Sequence, residues 1–243
     1  MRALLLLVLF LVLQPGVVCA DGLPLFASDE PLEITIEFPL RDLMRKAKDR
    51  PVVDATANYM DGDGQVVSLP VKMSTRGKSR LAVCRFPPLG LSVKKKAVAG
   101  TIFEGQKSLK IVTHCRSHRM YRNYLLQEYG IYEAFNVLTD VSFRARLLNV
   151  TYRDTENPDF EISEQAFFIE SISEVAARNE LERQKLPETE VAQLDPAYAT
   201  LLAMFQFMIG NTDWSGVEMH NMELFQTFED IPSTIPFDFD FSG

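Results

Sequence analysis

Apolar and polar residues alternate from Leu32 to Phe38, the period of a strand with one face buried. Two further strand-like runs, Val52 to Tyr59 and Gln65 to Thr75, flank Asp61-Gly62-Asp63-Gly64, whose Asp-Gly pairs suit a hairpin turn. Leu89 to Val93 and Ser108 to Thr113 continue the series, so the first half of the chain reads as mainly antiparallel β.

The period changes after His118. Between Arg119 and Leu138, Tyr121, Leu125, Tyr132 and Phe135 recur at three- and four-residue spacing, which predicts a helix, and Glu128 falls in register with that apolar stripe. Phe143 to Tyr152 and Gln165 to Glu170 read as two more strands around a polar loop with Asn157-Pro158. Ile172 to Lys185 suggests a charged, solvent-facing helix. Asp195-Pro196 offers an N-cap with proline at the first helical position, and Ala197 to Ile209 is apolar on every side except Thr200 and Gln206, which predicts a buried helix ending at Gly210. Short strands at Met222 to Phe225 and Ile235 to Phe241 close the sequence. In the last of these, Asp238 and Asp240 alternate with phenylalanines, so both carboxylates are expected on one side.

Residues 1–20 stand apart from this pattern. Arg2, the apolar run Ala3 to Leu13 and small residues ahead of Asp21 have the form of a cleaved secretory signal, too short to span a bilayer. The expectation is a single domain over 21–243, secreted or periplasmic, with no membrane association once the signal is removed. The remainder is acidic: 25 Lys and Arg face 33 Asp and Glu over the whole chain, a net charge of −8, and loss of Arg2 makes it one unit more negative. Such a balance argues against nucleic acid or an anionic membrane as main partner. Cys84 and Cys115 survive signal removal, and in an oxidising compartment an even pair is expected to form one disulfide; two buried thiols are the alternative.

The densest chemistry follows Gly210. Asp213, His220-Asn221 and the pair Asp238 and Asp240 come in the order that phosphoryl transfer requires: a carboxylate to orient the acceptor, then an Asn and further carboxylates to hold Mg²⁺ against phosphates. A turn and a capped strand are the favoured reading of an isolated Asp or Asn; the combination weakens that reading. A lysine on a strand before the helix bearing Glu128 completes the set, with Lys110 preferred and Lys107 its rival. A structural ion pair is the plainer reading of that lysine and glutamate.

These features, in order, resemble the spore coat protein H (CotH) family of atypical secreted kinases. The resemblance rests on the Arg76-Gly77 turn, the Lys110 strand, Tyr124-Leu125-Leu126-Gln127-Glu128, Phe167-Phe168-Ile169-Glu170, the Asp213 to Asn221 loop and Asp238-Phe239-Asp240, and it spans roughly residues 65–243. It implies an α+β, protein-kinase-like two-lobed fold, with an antiparallel β N-lobe over about 30–170 and a helical C-lobe, apparently cut short, over about 171–243. It further implies Asp213 as catalytic, Lys110, Glu128 and Arg76 as nucleotide-binding, and Asn221, Asp238 and Asp240 as ligands of Mg²⁺ or Mn²⁺, with Asp238 and Asp240 both open as the main ligand. The activity so implied is phosphate transfer from ATP to a protein hydroxyl. The alternative expectation is a catalytically inactive kinase-like exported binding or structural module.

Other motifs fall short. Gly77-Lys78-Ser79 lacks the leading glycine of a phosphate loop, since Lys72 stands there, and Asp61-Gly62-Asp63-Gly64 meets Lys72 where an EF-hand needs Glu. His114-Cys115-x-x-His118 offers a zinc ion only three ligands. Asn149-Val150-Thr151 is a glycosylation sequon inside a predicted strand. No Gly-x-Ser-x-Gly elbow supports serine hydrolysis.

Overall fold

The structure is a computed structural model describing residues 24–183, 195–216, 218, 220–226, 232–240 and 242. The expected signal at 1–20, the end of the expected Ile172–Lys185 helix and Phe241 lie outside the described residues.

Seven strands form a closed barrel in the order β1 (Leu32–Phe38), β2 (Val52–Met60), β3 (Val66–Thr75), β4 (Leu89–Val93), β5 (Ser108–Thr113), β7 (Glu161–Ile169) and β6 (Ala145–Asp154). Neighbours are antiparallel except at the seam, where β1 pairs in parallel with β6 along its whole length, Leu32 opposite Leu148 and Phe38 opposite Asp154. Closure removes the exposed edges that an open sheet would leave. The β2–β3 turn is tight for a local reason: the Asp61 carboxylate accepts from the backbone N–H groups of Asp63 and Gln65, and Gly64 takes φ +75°.

Alternation along the strands divides the apolar residues between two cores. Ile34, Ile36, Met73, Leu89, Leu91, Ile111, Leu148, Tyr152 and Phe168 fill the barrel. Outward-facing Val112, Phe167 and Ile169 join a second core with α3 (Arg119–Leu138), α4 (Ile172–Arg178), α5 (Pro196–Met208) and the C-terminal segment. Leu125, Tyr132 and Phe135 of α3 pack into this outer core; the Phe135 and Phe205 rings are 4.7 Å apart, and Tyr132 meets Phe239 at 4.9 Å. A three-stranded sheet of β8 (Glu182–Arg183), β9 (Met222–Gln226) and β10 (Pro232–Pro236) completes this side. Short helices α1 (Leu40–Arg45) and α2 (Ser79–Val83) sit in connections between barrel strands.

The two-lobed kinase-like fold with a helical C-lobe is therefore corrected. The β half is one closed barrel, made so by the β1–β6 pairing, and residues 171–243 contribute helices only at α4 and α5 among the described residues, beside a small sheet. Three local expectations change too. The charged helix after Ile172 is short, capped by the reciprocal Ser171 and Glu174 bonds and ending at Arg178 before β8. The helix expected to be buried all round is buried only along Leu202, Phe205 and Gln206, while Phe207 is 88% exposed and Met204 and Met208 are also turned out. An all-apolar helix has no polar face to tell the period which side packs. The strand expected to run through Phe241 stops at Pro236, because Asp238 adopts φ +61° and leaves the extended region.

Cys84 and Cys115 are joined by a disulfide with their Cα atoms 4.6 Å apart, tying the end of α2 to the segment after β5. The bridge closes a sequence separation of 31 residues. Replacing both cysteines by serine should lower the unfolding free energy by about 2–4 kcal/mol, read from the urea midpoint, and dithiothreitol should reproduce the loss in the native protein but not in the double variant.

Candidate functional site

The outer core ends in Ile169, beside Lys110 of β5. There Ser74, Gly90, Lys110 and Ile169 lie in one row across four strands, and Gly90 carries no side chain between them. A Cβ at Gly90 would stand 3.0 Å from Ser74 Oγ, too close without a shift of that hydroxyl, and in ordinary contact with Arg76 Cδ at 3.9 Å. The Arg76 backbone N–H donates to the Pro88 carbonyl, and the chain then turns at Gly77 with φ +89°. Arg50 donates to the Gly77 carbonyl at 2.8 Å and fixes the outside of that turn.

Beneath the turn is a cavity of about 120 Å³. Its barrel side presents Arg76, Arg80 and Lys110, and its far side Glu128 and Tyr132 of α3 with Phe237 and Asp238. Lys110 lies in this cavity together with Glu128, whereas Lys107 lines a different, more open one beside Glu170 and Arg178. The Glu128 carboxylate has its ion-pair partner in Arg80, at 3.9 Å; the Lys110 ammonium stands 5.7 Å from the centre of the Phe237 ring. Arg80 is itself anchored by a bond from Nη2 to the Thr113 carbonyl.

The carboxylates come from three segments. Glu128 is on the buried stripe of α3. Asp238 follows β10, and its backbone N–H donates to the Tyr132 hydroxyl at 2.9 Å, so helix and C-terminal segment are locked at the residue that bears the carboxylate. Asp213 belongs to the loop after α5, which a relay of amides shapes: buried Gln206 accepts from Asn211, and Asn211 accepts from the Asp213 N–H. Asn221 donates to both the Asp213 carbonyl and its carboxylate, and His220 Nε2 is 3.0 Å from the other carboxylate oxygen. The Phe237 N–H donates to the Asn221 carbonyl, which sets the Asp213 loop beside Asp238. Asn221 and Asp238 both have positive φ, at +53° and +61°, a conformation that strains most residues and that Asn and Asp tolerate best.

This crowding has an electrostatic consequence. Burial pushes the Glu128 carboxyl up to about 8, and Arg80 at its distance does not offset the loss of water, while Asp238 and Asp240 add to the rise. Asp240 is raised to about 6, first by burial and then by Asp238, with Asp213 contributing. Burial also raises the Tyr132 hydroxyl and lowers the Arg76 guanidinium. Loss of water is thus the first cause of both raised carboxyls and the neighbouring acids the second. Asp238 and Asp240 are the pair whose repulsion a divalent cation would relieve; among the described residues no three His, Cys, Asp or Glu side chains form a ready-made metal centre, so a Mg²⁺ held here would take its other ligands from water or phosphate.

The structure brings Arg76, Lys110, Glu128 and Asp238 to one cavity, and Asp240 to an adjoining cavity that shares Arg80 and Glu128. Asn221 braces Asp213 through its side-chain amide N–H groups. Sequence reasoning missed Arg80, Tyr132 and Gln206. Tyr132 was within reach, since it falls four residues after Glu128 on the same stripe. Comparison with protein families, with curated proteins and with solved structures finds no match to this chain.

A buried glutamate whose folded pKa is raised favours the fold below its unfolded value, near 4.5, and loses that contribution as pH rises through about 8. Melting temperature should therefore fall between about pH 5 and pH 8. Glu128→Gln should flatten that slope and be the more stable form at pH 8, by an amount on the order of a few kcal/mol. Equal slopes for the two proteins would remove Glu128 as the cause.

Proposed function

We propose that this protein transfers the terminal phosphoryl group of a nucleoside triphosphate, ATP, to a protein hydroxyl with Mg²⁺ or Mn²⁺. The observation that carries this reading is the single cavity in which Arg76, Arg80 and Lys110 face Glu128 and Asp238, with Asp240 and Asp213 adjoining. Three cations opposite a set of carboxylates match a triphosphate and its metal: the cations take the phosphate oxygens and the carboxylates take the ion. The resemblance to the spore coat protein H kinases supports the same reading, on these residues and not on lobe organisation.

Each residue then has a task. Arg76 and Lys110 neutralise phosphate oxygens, while Glu128 and the Thr113 carbonyl hold Arg80 at the mouth between helix and barrel. Asp238 and Asp240 hold the metal, which when bound neutralises charge on the phosphates. Asp213, oriented by Asn221 and His220, accepts the hydroxyl proton of the acceptor. The acceptor oxygen–phosphorus bond forms as the bond from that phosphorus to the bridging oxygen breaks, and the nucleoside diphosphate leaves with the electron pair.

The decisive experiment is a thermal-shift titration with ATP and Mg²⁺, singly and together, followed by transfer of labelled phosphate to a generic protein substrate. ATP with Mg²⁺ should raise the melting temperature more than either alone, and Asp240→Ala should abolish the difference. Asp213→Ala should keep the ATP-dependent shift and lose about 10²–10⁴-fold in transfer. Lys110→Ala should weaken nucleotide binding by about tenfold or more. A shift with the divalent cation and none with ATP would overturn phosphoryl transfer in favour of a non-catalytic, cation-binding module.

A further inference from the structure

A second cavity, of about 220 Å³, opens between α2 and α3 and shares Ser79, Arg80 and Glu128 with the first. Its inner end reaches Asp240, and the Cys84–Cys115 bridge forms part of its lining. Its outer walls are apolar and accessible: Val83 is 60% exposed and Tyr124 50%, and Tyr121 meets Tyr124 edge to face at 6.2 Å. Apolar side chains exposed together around an opening, unlike ones scattered singly, are the kind of surface that interaction sites use.

The charge around this opening runs against that of the whole protein. In a chain of net charge −8, Lys78 and Arg85 bracket α2, and Arg116 and Arg119 stand at the start of α3. All four are exposed, and none is in an ion pair among the described residues. The Arg116 guanidinium lies 5.7 Å from the centre of the Tyr121 ring, directly over the cavity wall. By contrast, Arg122 on the same helix is neutralised by Glu164.

We propose that this cavity docks the protein acceptor, as an acidic segment that seats an aromatic or large aliphatic side chain against Tyr121, Tyr124 and Val83. The unpaired cations attract the acidic residues, the tyrosines supply the anchor, and a hydroxyl beside that anchor enters toward Asp240, with Asp213 close behind. The assignment of the occupant as an acceptor rests on the phosphoryl-transfer reading; the docking itself does not.

The test uses the full chain and three fluorescent peptides without nucleotide: an acidic serine peptide with one Phe, the same with Ala for Phe, and one with Lys replacing every acid. Anisotropy should show the first binding about tenfold more tightly than either other. Tyr124→Ala and Arg116→Glu should each weaken it about fivefold or more with melting temperature unchanged, since both side chains are exposed. Equal binding of the three peptides, or full binding by both variants, overturns the proposal. Peptide selectivity without any ATP response upholds the docking site and removes the phosphoryl-transfer reading. An ATP response without peptide selectivity does the reverse.

Discussion

Alternation on β5 and β7 is the constraint on which the rest depends. Because Ile111 and Phe168 point inward while Val112 and Phe167 point outward, one stretch of barrel wall is buried on both faces. Such a wall demands a cover, and α3 with the C-terminal segment provides it. The same register puts Lys110 outward, opposite Ile169, at the rim where the cover ends. A shift of one residue in that pairing would turn Lys110 into the barrel and Ile111 out to the site.

The outer core also decides which polar groups meet. Tyr132 packs among Phe167 and Phe239, yet its hydroxyl accepts from the Asp238 N–H, so an aromatic cluster fixes the position of a carboxylate-bearing segment. Phe205 of α5 packs on Phe135 and Phe239, and the next residue, Gln206, begins the amide relay to Asp213. Apolar contacts thus set the frame and buried amides the fine placement. The cost is visible in Glu128 and Asp240, whose carboxyls are raised because burial and neighbouring acids disfavour their charge. Carboxyls perturbed in this way cluster at functional sites and occur in structural ion-pair networks as well.

The disulfide has a placement that links the two cavities. It fixes the end of α2, whose Arg80 stands between Glu128 and the Thr113 carbonyl. The turn that carries Gly77 and the helix that follows are held from outside by Arg50 and from inside by Arg80.

By itself, the sequence determined the local elements with a strong period or a strong cap: the strands Leu32–Phe38 and Ser108–Thr113, the Asp61–Gly64 hairpin, helix α3, and the start of α5 at Asp195-Pro196. It also marked the acidic residues of the site, since Glu128 on an apolar stripe and two Asp residues among phenylalanines conflict with simple burial, but not Arg80. It did not determine the barrel, because the parallel β1–β6 pairing joins segments more than a hundred residues apart and leaves no local mark. Nor did it distinguish the packed stripe of α5 from its exposed one, or show that Asp238 leaves the strand. Only the tertiary structure decided that Glu128 faces Arg80, that Lys110 rather than Lys107 shares its cavity, and that Asn221 braces Asp213. Periodicity reports which residues share a face of one element, whereas a site is made where faces of several elements meet, and that meeting is fixed by packing across the whole chain.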